Sequence, residues 1–72
     1  MNRNKVVSSN INSVGYDEET KVLEVEFFDQ TIWQYSPLTR DGYNELMKAD
    51  SIGSYFAKNI RNNSAIKAEK IQ

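Results

Sequence analysis

The chain has 72 residues, with neither cysteine nor histidine, 39% hydrophobic residues and a net charge of −1. That length holds one domain near the lower limit for folding without staples, and no disulfide can supply one. The missing residue types exclude an ordinary zinc site and the Ser-His or Cys-His couples of nucleophilic catalysis, while the balanced charge gives no global pull toward nucleic acid or membrane.

In chain order, residues 1–5, MNRNK, are polar and read as a flexible N-terminus ahead of a single domain over 6–63. Val6-Val7-Ser8-Ser9 steps from apolar to polar, as in an edge segment or turn. Ile11 to Tyr16 reads as a first strand, with Gly15 the natural place for a bulge or a close backbone approach. Asp17-Glu18-Glu19-Thr20 is turn chemistry, because Asp at the first position accepts from a backbone N–H two residues on.

Val22 to Tyr35 reads as a β-hairpin. Leu23, Val25 and Phe27 alternate with Glu24 and Glu26, the period-two pattern of a half-buried strand, and Ile32 to Tyr35 forms the return. A two-residue loop at Asp29-Gln30 would pair Phe27 with Ile32 and turn Trp33 and Tyr35 toward the glutamates. A three-residue loop at residues 29–31 pairs Phe27 with Trp33 and Val25 with Tyr35. The second gathers Leu23, Val25, Phe27, Trp33 and Tyr35 on one face, and burial of two large aromatics favours it. It requires Gln30 or Thr31 in the left-handed region. Phe28 and the pair Glu24 and Glu26 then fall on the solvated face, and the two carboxylates read as surface rather than as an acid–base pair.

Two helices supply the cover. Ser36 or Thr39 caps the first, with Leu38, Tyr43, Leu46 and Met47 at helical spacing. Asp50 or Ser51 caps the second, where Ile52, Phe56 and Ile60 recur every four residues and Asn62 or Asn63 ends it. Residues 64–72, SAIKAEKIQ, read as a frayed tail. The expected fold is therefore α+β: a three-stranded antiparallel meander followed by two helices packed on one face. Leu23, Val25, Phe27, Trp33, Tyr35, Leu46, Phe56 and Ile60 are expected to form most of its core.

The segments Ser8-Ser9-Asn10-Ile11, Gly15-Tyr16-Asp17, Leu23 to Phe27, Trp33-Gln34-Tyr35, and Ala49 to Phe56 with Ile60-Arg61 together resemble the KTSC domain. That family includes a short C-terminal module of some lysyl-tRNA synthetases and stand-alone small bacterial or phage proteins. Its aromatic-x-aromatic motif falls on Trp33 and Tyr35, and its Ser-x-Gly-x-Tyr-Phe stretch on Ser51, Gly53, Tyr55 and Phe56, residues expected to be structural. The chain departs from the pattern at Trp33 for the usual Tyr, at Gln30 for Gly and at Ala57 for Asn. Asn62 also replaces the aromatic that often follows Ile-Arg.

The resemblance implies a binding module without catalytic residues or cofactor. Two readings follow. RNA or single-stranded nucleic acid would meet Lys48, Lys58 and Arg61, whereas a protein-binding adaptor or weak homodimer would use Phe28 or a strand edge. No apolar run approaches the roughly 18 residues of a membrane span and no signal core follows Met1, so a monomeric or weakly dimeric cytoplasmic protein without a membrane role is expected.

Overall fold

The computed structural model describes residues 2–72, so Met1 of the expected flexible segment lies outside it. One antiparallel sheet carries β1 (Asn4–Lys5), β2 (Ile11–Asp17), β3 (Val22–Phe27), β4 (Ile32–Ser36) and β5 (Lys67–Lys70), in that spatial order. Helices α1 (Arg40–Lys48) and α2 (Ile52–Phe56) lie between β4 and β5 in sequence. The α+β class and the pair of helices are as expected, but the sheet has five strands and not three. The two additional strands come from residues 1–5 and 64–72. β1 pairs Asn4 with Val14 and Lys5 with Ser13, and β5 pairs with β4 from Trp33↔Lys70 to Ser36↔Lys67. Every residue of both strands is exposed, so neither carries the buried alternation by which a strand is read. Backbone pairing to the free edges of β2 and β4 holds them instead.

The hairpin register also differs. Val25 pairs with Trp33 and Leu23 with Tyr35, two residues away from the expected pairing. The loop has three residues, Phe28 to Gln30, closed by Phe27 N–H donating to the Thr31 carbonyl at 3.0 Å. Gln30 takes the left-handed conformation at φ 72°. A shift of two preserves the face of every side chain, so Leu23, Val25, Phe27, Trp33 and Tyr35 share the helix-facing side as expected. Leu23, Val25 and Tyr35 are buried there with Ile11, Val14, Leu38, Leu46, Phe56 and Ile60, while Phe27 and Trp33 pack against this core half-buried. Phe56 is its hub, meeting Phe27 and Tyr35 edge-on at centroid distances of 5.8 and 5.0 Å. Tyr16 stacks on Tyr43 at 4.7 Å and donates its hydroxyl to the Leu38 carbonyl, which ties β2 to the start of α1.

The opposite face of the sheet is not simply solvated. Glu24 is only 8% exposed. It pairs with Arg3 and accepts from Gln34 Nε2 at 3.0 Å. Gly15 stands opposite Glu24, and with no side chain there Arg3 can reach over β2 to the carboxylate. Burial alone would raise the Glu24 pKa. The hydrogen bonds from Gln34 and Arg3, with the Arg3 charge, outweigh it and hold the carboxyl below its ordinary range. Glu26 accepts from Ser13 Oγ at 2.9 Å and Asn12 Nδ2 at 3.1 Å. Of the two roles expected at Gly15, a bulge or a close approach, the bulge lies instead at Asn12, the extra residue between the pairs Ile11↔Phe27 and Ser13↔Glu26.

Thr39 caps α1 by accepting from Gly42 N–H, and Ser51 caps α2 by accepting from Ser54 N–H. From Ala57 to Arg61 the second helix widens into a π-helical turn, closed by Asn62 N–H on the Ala57 carbonyl at 3.2 Å. No feature of the sequence signals this widening. Its last residue, Arg61, lines a cleft with the tip of the β3–β4 hairpin.

Candidate nucleic-acid interface

Three segments distant in sequence build one open cleft: the Ser9-Asn10 turn before β2, the hairpin tip and the end of the π-helical turn. Ser9, Asn10, Phe27, Phe28, Asp29 and Arg61 line it. Local chemistry fixes each wall. Ser8 Oγ accepts from the backbone N–H groups of Asn10 and Ile11, both at 3.3 Å, and donates to Asn10 Oδ1 at 3.0 Å. Phe28 N–H donates to the Asn10 carbonyl at 3.2 Å, binding that turn to the hairpin tip. Asp29 Oδ1 accepts from Thr31 N–H at 3.0 Å and Thr31 Oγ1 at 2.6 Å. The side-chain and then the backbone bond from Thr31, helped by the Lys70 charge, hold the Asp29 carboxyl below its usual range. Phe28, the first residue of the hairpin loop, is 56% exposed.

The three expected cations are not brought together. Arg61 alone lines the cleft; Lys58 is exposed on the same π-helical turn, and Lys48 is exposed in the last turn of α1. Among the described residues the ion pairs are Arg3–Glu24 and Arg40–Glu18, so all three expected cations are unneutralised. Arg61 also reaches the Tyr35 side: burial raises the Tyr35 hydroxyl above its ordinary value, and the Arg61 charge opposes that rise. Lys70, opposite Trp33 on β5, adds a cation from the segment expected to be a frayed tail. The sequence reading had set Arg61 and Phe28 on competing surfaces. The fold joins them in one cleft.

The motif residues hold this arrangement from beneath. Ser51 is the α2 cap and Phe56 the buried hub. Trp33 stacks on Tyr35 with centroids 6.5 Å apart. A Cβ at Gly53 would stand 2.8 Å from Asn10 Oδ1 and 3.2 Å from Ser8 Oγ, so glycine lets α2 approach the Ser8–Asn10 turn. Tyr55 faces a different groove, shared with Leu38, Asn59, Ile60 and Ile66. Sequence reasoning missed Ser9, Asn10 and Asp29 as walls. The Ser8-to-Ile11 motif was the available sign for the first two.

The comparisons with known proteins agree with this architecture. An uncharacterized protein from Stutzerimonas stutzeri is 38% identical over 56 residues, covering 78% of this chain and 79% of that protein. The crystal structure of a KTSC domain protein from Yersinia pestis superposes with a TM-score of 0.88 at 31% identity, covering 99% of this chain and 97% of that one. The family model for the KTSC domain matches residues 7–63, from the segment before β2 to the end of the second helix. The chain belongs to the KTSC domain family.

Proposed function

We propose that the protein is a small non-catalytic binding module that takes RNA or another single-stranded nucleic acid weakly in the cleft between the hairpin tip and the second helix. The observation that carries this reading is the meeting of Arg61, free of any ion pair among the described residues, with the exposed ring of Phe28. A cation for the phosphate beside an aromatic face for the base is the minimal apparatus of sequence-tolerant single-strand binding. The glutamates that might have served as an acid–base pair are engaged by Arg3, Gln34, Asn12 and Ser13, which supports a binding role over catalysis. Asp29 opposes phosphate, and with Arg61, Lys58 and Lys70 as the neighbouring cations the affinity is weak.

Fluorescence anisotropy with a labelled mixed-sequence RNA octamer at low salt tests this. About three neutralised phosphates give a log–log salt slope near −2, and Arg61→Ala and Phe28→Ala should each weaken binding by about fivefold or more. No binding at millimolar protein, or binding untouched by both variants, would sink the proposal. The same exposed Phe28 supports the second reading, a protein-binding adaptor or weak homodimer. Self-association in sedimentation that is insensitive to salt and removed by Phe28→Ala would move the assignment there.

A further inference from the structure

One polar group in the cleft is ill-suited to a phosphate and well suited to a base. Asp29 presents a carboxylate next to Phe28, with both Thr31 bonds taken by Oδ1 and none by Oδ2 among the described residues. Asn10 lines the same cleft, its Oδ1 accepting from Ser8 Oγ and its Nδ2 without a partner among the described residues. The walls thus offer an acceptor and a donor beside an aromatic ring. The cleft has a volume of about 340 Å³, room for one nucleobase with its sugar.

We infer that this cleft selects guanine within a single strand: the base stacks on Phe28, its N1–H and N2 amino group donate to Asp29, its O6 accepts from Asn10 Nδ2, and Arg61 holds the adjoining phosphate. An ionised carboxylate only accepts hydrogen bonds, so it favours an edge with adjacent donors. Guanine has that edge. Adenine and cytosine set a ring-nitrogen lone pair beside their amino group, and uracil flanks its one N–H with two carbonyl oxygens; each would face the Asp29 charge with an acceptor. Unstacked bases of single strands are read in this way on their Watson–Crick edges. The inference rests on the nucleic-acid reading above and turns its one unfavourable residue into the selective one.

The test compares an RNA octamer of uridines with the same octamer carrying a single central guanosine, inosine, adenosine or cytidine, by anisotropy on the whole chain. The guanosine octamer should bind at least about fivefold more tightly than the uridine octamer, the low end of what a good base-edge pair discriminates. Inosine, which lacks the N2 amino group, should lose part of that gain. Asp29→Asn retains an acceptor for Thr31 and removes the charge. It should abolish the guanosine preference while uridine-octamer affinity holds or rises, a pattern that mere damage to the turn would not give. Asn10→Ala should reduce the preference independently. Equal binding of all five octamers overturns guanine selection and leaves the nucleic-acid reading standing. A preference that survives Asp29→Asn overturns the assigned contact. Binding of none removes both.

Discussion

Gly53→Ala offers the sharpest test of how the helix and the cleft are joined. The substituted methyl would sit 2.8 Å from Asn10 Oδ1, an atom that Ser8 Oγ already holds at 3.0 Å. Either Asn10 leaves that bond, costing about 0.5–1.5 kcal/mol, or α2 shifts and the contact is overpacked, costing about 1–3 kcal/mol. Against this stands the gain of Ala over Gly in a helix, up to about 1 kcal/mol in an interior. Gly53 is the second residue of a short helix, where only part of that gain is realised. The chain takes the cheaper route, so the steric term only narrowly wins and a net loss of at most about 1 kcal/mol is expected, which for a domain this size lowers Tm by up to about 8 °C. Urea unfolding followed by circular dichroism should be run on the wild type, Gly53→Ala, Asn10→Ala and the double variant. With Asn10 truncated, Gly53→Ala should become neutral or stabilising, a coupling of about 1 kcal/mol or more. An equal loss in both backgrounds, or stabilisation by Gly53→Ala alone, refutes the reasoning.

Phe56→Ala should cost about 3–5 kcal/mol, most of the stability such a small domain possesses; near-UV circular dichroism that stays native with a loss below about 1 kcal/mol would contradict the central place given to Phe56. Glu24→Gln should destabilise by about 1–2 kcal/mol at pH 7, because Arg3 loses its charged partner. The folded pKa of Glu24 is lowered, so its contribution is present above the ordinary value of 4.5 and is lost as pH falls through the folded value. Urea midpoints of wild type and Glu24→Gln should therefore converge on acidification, and a constant gap down to pH 2 would show that the ion pair is not the cause.

What could be read from the sequence was what local pattern controls. The alternation from Leu23 to Phe27 fixed which face was dry, and Thr39 and Ser51 were readable as caps because their side chains act three residues away. The loop length was right and its position was not, since the placement of the left-handed residue within the loop has no marker when Gln30 stands where Gly would be obvious. β1 and β5 were invisible for a different reason. Asn4, Lys5 and Lys67 to Lys70 bury nothing, and what makes them strands is an edge offered by another segment. Glu24 and Glu26 looked solvated because the residues that satisfy them, Arg3, Asn12, Ser13 and Gln34, belong to other segments of the chain. The same limit hid the cleft: Phe28 and Arg61 become neighbours only after the helix closes on the sheet and widens at Ala57.

The place of β5 in the chain has a consequence for motion. Within the sheet, β4 and β5 are the neighbours separated by both helices, whereas the other neighbours follow one another through loops. Opening that ladder leaves the β2–β3 and β3–β4 pairings intact, so β5 can detach as a unit of its own, at a lower free energy than global unfolding. The chain has a single tryptophan, and it sits opposite Lys70 on this ladder. Its emission is thus a built-in gauge of the edge: a red shift preceding the loss of far-ultraviolet ellipticity would time the departure of β5, and with it the arrival and loss of the Lys70 charge beside the hairpin tip.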